Sequence, residues 1–179
     1  LITRPEILTR ALVTGGTEAQ KQRWLPRIAA GELMVGVMAT EPDYGSDVAN
    51  VATTATAVDG GYAINGVKTW ATFAGRADLL MLLARTDPDV PKHNGLTMFA
   101  LRMDDPGVEV RPLVQMNGDR HFSEVFVTDA RAPLDALIGD IGIGWNVAMT
   151  VLAHERALAG ESRGGGDGGQ DGIHLLEGL

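Results

Sequence analysis

Cysteine is missing from all 179 residues of the chain. A disulfide framework, a zinc site with thiolate ligands and a cysteine nucleophile are therefore excluded. A protein without cysteine is also compatible with a reducing compartment, and we expect a cytoplasmic location.

An excess of positive charge is missing as well. The chain has 15 lysine and arginine residues against 23 aspartate and glutamate residues, a formal net charge of −8 at pH 7. This balance argues against a nucleic-acid-binding protein, which needs a basic surface. It does not exclude a polyanionic cofactor, because backbone dipoles and single cations can hold one. No window of about 18 apolar residues is present, so we predict no membrane span.

The composition is that of a globular protein, with 45% hydrophobic residues, and the chain begins with helical patterns. The pattern over residues 3–13 predicts a first helix. Thr17 and Gln20 predict a capping box at the start of a second helix, which Pro26 is expected to kink or divide.

From Leu33 onward the pattern changes to short strands separated by turn signals, which is typical of an antiparallel sandwich or barrel. The predicted strands cover residues 33–39, 51–58, 62–64, 67–72, 78–85, 96–103, 108–113 and 123–128. Asn65-Gly66 is the strongest hairpin signal and predicts a type I′ turn between two of these strands. A further helix is predicted over residues 145–158, followed by a glycine-rich linker over 160–172.

The stretch from Thr40 to Asp47 is the most informative part of the sequence. A strand ends at Glu41-Pro42, because proline lacks the N–H that a sheet needs. In the loop that follows, Gly45 permits a close approach of the backbone and Ser46 supplies a hydroxyl. Such a strand end can bind phosphate through backbone N–H groups, but an ordinary turn between strands has the same pattern.

Five segments, in the same order along the chain, resemble the acyl-CoA dehydrogenase family. They are T-E-P-D-Y-G-S-D at 40–47, K-T-W-A-T at 68–72, P-G-V-E-V-R-P at 106–112, S-E-V-F-V at 123–127 with A-R-A-P at 130–133, and G-W-N-V-A at 144–148 leading to H-E-R at 154–156. The resemblance implies an α+β fold with an antiparallel β-barrel middle domain flanked by helical domains. Residues 1–32 would end the N-terminal helical domain, 33–138 would form the middle domain, and 139–179 would begin a truncated C-terminal helical domain.

The resemblance also implies a flavoprotein of fatty acid β-oxidation. Members of this family remove the α-proton of an acyl-CoA thioester with a carboxylate and transfer the β-hydride to N5 of FAD. The cofactor-binding residues implied are Val37, Met38, Ala39, Thr40, Gly45, Ser46, Trp70, Ala71 and Thr72. Ser46 would also contact the substrate, and the Thr72 hydroxyl would lie near N5. The alternatives are an aromatic core residue at Trp70 and an ordinary strand residue at Thr72.

The catalytic base is the least determined part of the site. Some members carry the base on the first helix after the barrel, before an arginine, and Glu155-Arg156 occupies the matching place. The alternative is that Glu155 pairs with a neighbouring cation and that the base lies in the C-terminal region. The residues H-E-R-A-L do not form a zinc motif, because position 158 is not histidine, and we predict no metal site. His93, His121 and His174 are interpreted as surface residues.

The partners implied by the resemblance are an acyl-CoA substrate, an electron-transfer flavoprotein as electron acceptor, and further copies of the chain in a homotetramer or dimer. We expect the 179-residue segment alone to be inactive. The competing interpretations are a flavin monooxygenase or acyl-CoA oxidase of the same fold, and a non-catalytic protein that keeps the fold without a cofactor.

Overall fold

The computed structural model describes residues 5–153, with side chains described from residue 9 onward. Two helices come first, α1 (Pro5–Gly15) and α2 (Glu18–Ala29). The predicted capping box is confirmed: the Gln20 N–H donates to Thr17 Oγ1 at 3.2 Å, and the Thr17 N–H donates to Gln20 Oε1 at 2.8 Å. Pro26 does not divide α2, because it lies in the last turns of the helix, where the Ala30 N–H still donates to the Pro26 carbonyl at 3.0 Å.

Eight strands form one sheet in the order β6-β7-β3-β2-β4-β5-β8, with β1 paired to β4. The strands are β1 (Val35–Met38), β2 (Thr54–Val58), β3 (Gly61–Thr72), β4 (Leu79–Arg85), β5 (Leu96–Arg102), β6 (Val108–Leu113), β7 (Phe122–Pro133) and β8 (Leu137–Ile138). Short 3₁₀ turns cover Val48–Asn50, Ala74–Arg76 and Leu134–Ala136. The sheet is mixed rather than wholly antiparallel, because β4 runs parallel to both β1 and β2.

The predicted hairpin at Asn65-Gly66 is wrong. β3 runs without a turn from Gly61 to Thr72, and only its register against β7 shifts between Ile64 and Gly66. Gly66 is instead a site of close packing, since a Cβ there would lie 2.3 Å from Thr53 Oγ1. Asn65 Nδ2 donates a hydrogen bond to Asp129 Oδ1 on β7 at 2.9 Å, so the Asn65 side chain links β3 to β7.

The core has two parts, one on each face of β4 and β5. Odd-numbered residues of β4, such as Met81 and Leu83, pack with α1, α2 and the third helix, and even-numbered ones, such as Leu80 and Leu82, pack with β3 and β7. A strand covered on both faces reads as a continuous apolar run, which explains the sequence of β4. Gln20 fastens α2 to the sheet by donating to the carbonyls of Asp135 at 2.8 Å and Leu137 at 2.6 Å.

A third helix, α3, begins at Gly144 and continues to residue 153, the last one described. Its start lies against β5, because a Cβ at Gly144 would lie 2.6 Å from Thr97 Cα. His93 is exposed, as predicted, and its ring packs against the Trp145 ring with 4.5 Å between centroids. None of the described helices has the length and apolar character needed to cross a lipid bilayer.

Candidate functional site

Trp70 lies in a strained and exposed position near the end of β3. The register of β3 against β7 shifts between Lys68 and Ala71, and Trp70 has a φ of 57°. A left-handed backbone is a genuine outlier for a bulky residue, and such strain is often found at functional sites. The indole is 59% exposed and packs edge-on against Phe122 at 5.7 Å between centroids. Thr72, two residues further on, is also exposed.

The end of β1 lies beside this part of β3. The Thr69 N–H donates to the Thr40 carbonyl at 3.0 Å, so the two predicted cofactor-binding segments are in direct contact. Within residues 5–153, the N–H of Thr40 has no hydrogen-bond partner. An exposed indole and hydroxyl therefore lie close to the end of a strand that retains an unused backbone donor.

The nine predicted cofactor-binding residues differ in what they can offer a ligand. The side chains of Met38 and Ala71 belong to the core, so only their backbone groups are available. Val37, Ala39 and Thr40 are half-buried, whereas Gly45, Ser46, Trp70 and Thr72 are exposed. The exposed surface of this site therefore comes from the strained end of β3 and from the loop after Glu41.

The loop carrying Gly45 and Ser46 is held by hydrogen bonds of the next residue, Asp47. Asp47 accepts from Lys92 Nζ at 2.9 Å and from Asn50 Nδ2 at 2.5 Å, and the hydrogen bond from Lys92 helps to lower the pKa of Asp47. A Cβ at Gly45 would meet nothing within 4 Å. Within residues 5–153, hydrogen bonds connect the 45–47 part of this loop to Lys92 rather than to residues 70–72.

A buried ion pair lies directly behind the site. Lys68 Nζ lies 2.8 Å from Glu41 Oε1, with side chains 0% and 4% exposed, respectively. Burial outweighs the attraction of Glu41 and lowers the pKa of Lys68 from its usual 10.5 to about 8. Burial acts to raise the pKa of Glu41, but the charge of Lys68 and the hydrogen bonds that the carboxylate accepts outweigh it, so this pKa is lowered. Both groups are therefore charged at pH 7.

This ion pair is not predicted by the sequence. Lys68 and Glu41 belong to two different motifs, and neither motif indicates that the two residues pair. A signal was present, since Lys68 is the single charged residue between Gly61 and Phe73, in a strand that is otherwise uncharged. Its partner, however, is 27 residues away along the chain, and no local pattern identifies it.

The structure also contains a cleft of about 690 Å³ between α2 and the sheet. Its charged residues include Arg23, which pairs with Asp135 at 3.2 Å, and Asp78, which accepts from the Met34 N–H at 2.7 Å. None of the nine predicted cofactor-binding residues lines this cleft. The described residues also contain no group of three or more histidine, aspartate or glutamate side chains that could hold a metal ion.

Glu155, the predicted base, lies outside the described residues, as do Arg156, His174 and the glycine-rich stretch from 160 to 172. On β6, Arg111 pairs with Glu109 at 2.8 Å. Its guanidinium also lies 4.2 Å from the centroid of the Phe126 ring.

Comparison with known proteins finds a family match over most of the sheet. Residues 36–130 match the family model described as acyl-CoA dehydrogenase, middle domain. The chain is 38% identical over 160 residues to acyl-CoA dehydrogenase FadE34 of Mycobacterium tuberculosis, covering 87% of this chain and 22% of that protein. It is 40% identical over 154 residues to acyl-CoA dehydrogenase IpdE1 of the same organism, covering 86% of this chain and 40% of that protein.

The fold is similar to that of solved acyl-CoA dehydrogenases. The crystal structure of an acyl-CoA dehydrogenase from Geobacillus kaustophilus matches with a TM-score of 0.79 and 38% identity, over 83% of this chain and 40% of that one. Across the three proteins compared, the chain spans from 22% to 40% of the relative's length.

Proposed function

The chain belongs to the acyl-CoA dehydrogenase family, and on that premise we propose that the protein is a flavin-dependent oxidoreductase that dehydrogenates an acyl-CoA thioester between its α and β carbons. The observation that carries the proposal is the strained, exposed Trp70 beside the end of β1. A backbone outlier of this kind is retained where the position of a side chain matters more than local stability.

The groups at this site suit a flavin, which has flat apolar faces and a polar edge. Trp70 offers an exposed aromatic surface, and the Thr40 N–H, which has no partner within residues 5–153, offers a donor at the end of β1. The Thr72 hydroxyl can both donate and accept, so it suits a ring nitrogen whose protonation changes. Met38 and Ala71 take part only through their backbone groups, because their side chains fill the core. When bound, FAD supplies the acceptor for the β-hydride of the substrate.

Ser46 and Gly45 are assigned to the phosphate-bearing part of the cofactor and to the thioester. Both are exposed on a loop whose position is fixed by the Asp47–Lys92 ion pair. Because a Cβ at Gly45 would meet no atom of the described residues within 4 Å, the backbone can be approached there. The Ser46 hydroxyl adds a donor that an anionic oxygen accepts.

The proton acceptor is assigned to Glu155. The α-proton of the thioester passes to its carboxylate, and a carboxylate raised in pKa by burial is suited to this step. The assignment follows from the position of Glu155 two residues beyond the described part of α3, before Arg156. A carboxylate elsewhere in the full-length protein is the alternative.

The remaining assignments concern organisation and partners. Residues 33–138 form the middle domain of the enzyme, with 1–32 and 139–179 belonging to the helical domains before and after it. The substrate is an acyl-CoA, the electron acceptor is an electron-transfer flavoprotein, and the enzyme works as a homo-oligomer.

The test uses the absorption spectrum of the purified full-length protein before and after anaerobic addition of an acyl-CoA. We expect flavin bands that bleach with substrate, and lower flavin occupancy or slower bleaching in Trp70→Ala with Thr72→Ala. Thr56→Ala, on the exposed side of β2, is the matched control and should behave like the wild type. Unchanged flavin content and reduction rate in the double variant would remove the assignment of this site.

Two other results lead to the competing functions. Rapid reoxidation by oxygen with formation of hydrogen peroxide after bleaching indicates an oxidase. A wild-type protein that takes up no flavin indicates a non-catalytic member of the fold.

A further inference from the structure

The Glu41 carboxylate joins three separate segments of the chain behind the candidate site. It accepts from Lys68 Nζ at 2.8 Å, from the Ala52 N–H at 2.6 Å and from the Thr53 N–H at 3.0 Å. The Glu41 backbone also exchanges hydrogen bonds with Tyr44 across the following loop. One side chain therefore connects the end of β1, the approach to β2 and the middle of β3.

Lys68 adds a connection to the backbone of the site itself. Its Nζ donates to the Ala39 carbonyl at 3.3 Å, as well as to Glu41. In a trans peptide the carbonyl and the next N–H point in opposite directions. The bond to the Ala39 carbonyl therefore turns the Thr40 N–H away from the buried pair, and this is the donor that has no partner within the described range.

The same pair precedes the strained part of β3. Lys68 lies two residues before Trp70, and Thr69, between them, donates to the Thr40 carbonyl at 3.0 Å. A strain at Trp70 persists only where surrounding contacts determine it. The ion pair and the Thr69 bond fix the strand immediately before that residue.

From these contacts we infer that Glu41 and Lys68 are positioning residues: their buried ion pair holds the end of β1 against β3 and directs the Thr40 N–H towards the bound cofactor. The inference rests on the proposed function in so far as the bound group is a flavin. Neither side chain touches that group. A stabilising role alone explains the arrangement poorly, because apolar side chains of similar volume commonly replace a buried ion pair without loss of stability.

The test compares two double variants of the full-length protein. Lys68→Met with Glu41→Gln removes both buried charges and keeps the approximate volume. Lys21→Met with Glu18→Gln is the matched control, because it makes the same substitutions in an exposed pair on α2 with a separation of 2.8 Å. Hydrogen exchange of the Thr69 amide, measured in flavin-free protein, reports whether β1 and β3 remain joined. A fluorescence titration with FAD reports the dissociation constant.

In the buried-pair variant we expect at least tenfold faster exchange at Thr69 and an FAD dissociation constant raised at least tenfold. Amides of β4 should exchange within twofold of the wild-type rate, which shows that the sheet is folded. The control variant should match the wild type in all three measurements. If the buried-pair variant does not fold, Glu41→Asp takes its place, since it keeps the charge but shortens its reach, and the same acceleration at Thr69 is expected.

Exchange at Thr69 within twofold of the control would overturn the inference, whatever the flavin titration gives. Faster exchange with unchanged FAD affinity would also overturn it, because the pair would then hold the strands without positioning the ligand. A wild-type protein that binds no FAD refutes the proposed function separately, and the exchange result alone then decides whether the pair holds the two segments together.

Discussion

Replacing Lys68 by methionine should destabilise the sheet far more than removing both members of the ion pair. In Lys68→Met the Glu41 carboxylate stays buried at 4% exposure, with the Ala52 and Thr53 N–H groups but no cation. Removing one partner of a buried pair costs about 3–5 kcal/mol. With Glu41→Gln added, no buried charge remains and the new amide oxygen still accepts a backbone N–H, so we expect little or no net loss of stability.

The contribution of Lys68 to the stability of the sheet should increase with pH. The native pKa of Lys68 is about 8, against 10.5 for an unburied lysine. Between these values the unfolded chain binds the additional proton, so the contribution of Lys68 to stability rises with pH. The drop from 10.5 to about 8 corresponds to on the order of 3 kcal/mol. The stability of the wild type relative to Lys68→Met should therefore increase between about pH 8 and pH 10.5.

Glu41 makes the stability of the sheet depend on pH in the acidic range. Its native pKa is lowered below 4.5, so the stability it contributes is present above that value and is lost as the pH falls through the native pKa. In Lys68→Met the lowering influence of the cation is gone. The variant should therefore lose less stability than the wild type on acidification below pH 4.5.

The measurement is the urea midpoint for hydrogen exchange of peptides from β4, in full-length protein at several pH values from about 3 to about 10.5. This readout follows the sheet itself and does not require the whole protein to unfold in two states. Lys21→Met serves as the control, because Lys21 is half-buried and its partner Glu18 is exposed, and it should change stability by less than about 1 kcal/mol. The reasoning is refuted if Lys68→Met is as stable as the double variant, or if its difference from the wild type does not change above pH 8.

Two further predictions concern other positions. Glu155→Gln should leave flavin and acyl-CoA binding intact but slow flavin reduction by about 100-fold or more, because an amide cannot accept the α-proton. Stopped-flow absorbance measures this rate, and near-normal reduction would place the base elsewhere. Gly107→Ala should destabilise the sheet by about 1–3 kcal/mol in the urea assay, because the added Cβ would lie 2.3 Å from the Thr128 carbonyl oxygen. Gly75→Ala, whose Cβ would meet only Val110 at 4.0 Å, is the control, and an equal loss in both variants would show that close packing is not the cause.

The parts of the fold that were predicted correctly depend on signals between near neighbours. The capping box of Thr17 and Gln20 involves residues three apart, and the run of β4 reflects burial on both faces of one strand. The predicted hairpin failed because Asn65-Gly66 carries the same letters whether the glycine makes a turn or lets Thr53 approach. Only the packing of a distant segment distinguishes these two uses.

In the candidate site, too, the features with a local sequence signal were predicted and those that depend on distant segments were not. Its segments were identified from motifs, and the contact between Thr40 and Thr69 agrees with the expectation that they lie together. The left-handed backbone of Trp70 and the pairing of Glu41 with Lys68 were not predicted. Both depend on where the sheet brings remote residues together, and neither strain nor ion pairing over that distance has a local sequence pattern.

The shift in register before Trp70 makes the number of residues in β3 as important as their identity. In a regular strand Lys68, Trp70 and Thr72 would share one face, yet Lys68 is buried while the other two are exposed. The irregularity between Lys68 and Ala71 reverses the alternation, so that everything after it changes sides. The division between interior and ligand-facing surface is thus encoded by one inserted position, and deleting a residue between Lys68 and Ala71 would exchange the two faces for the part of the strand that follows.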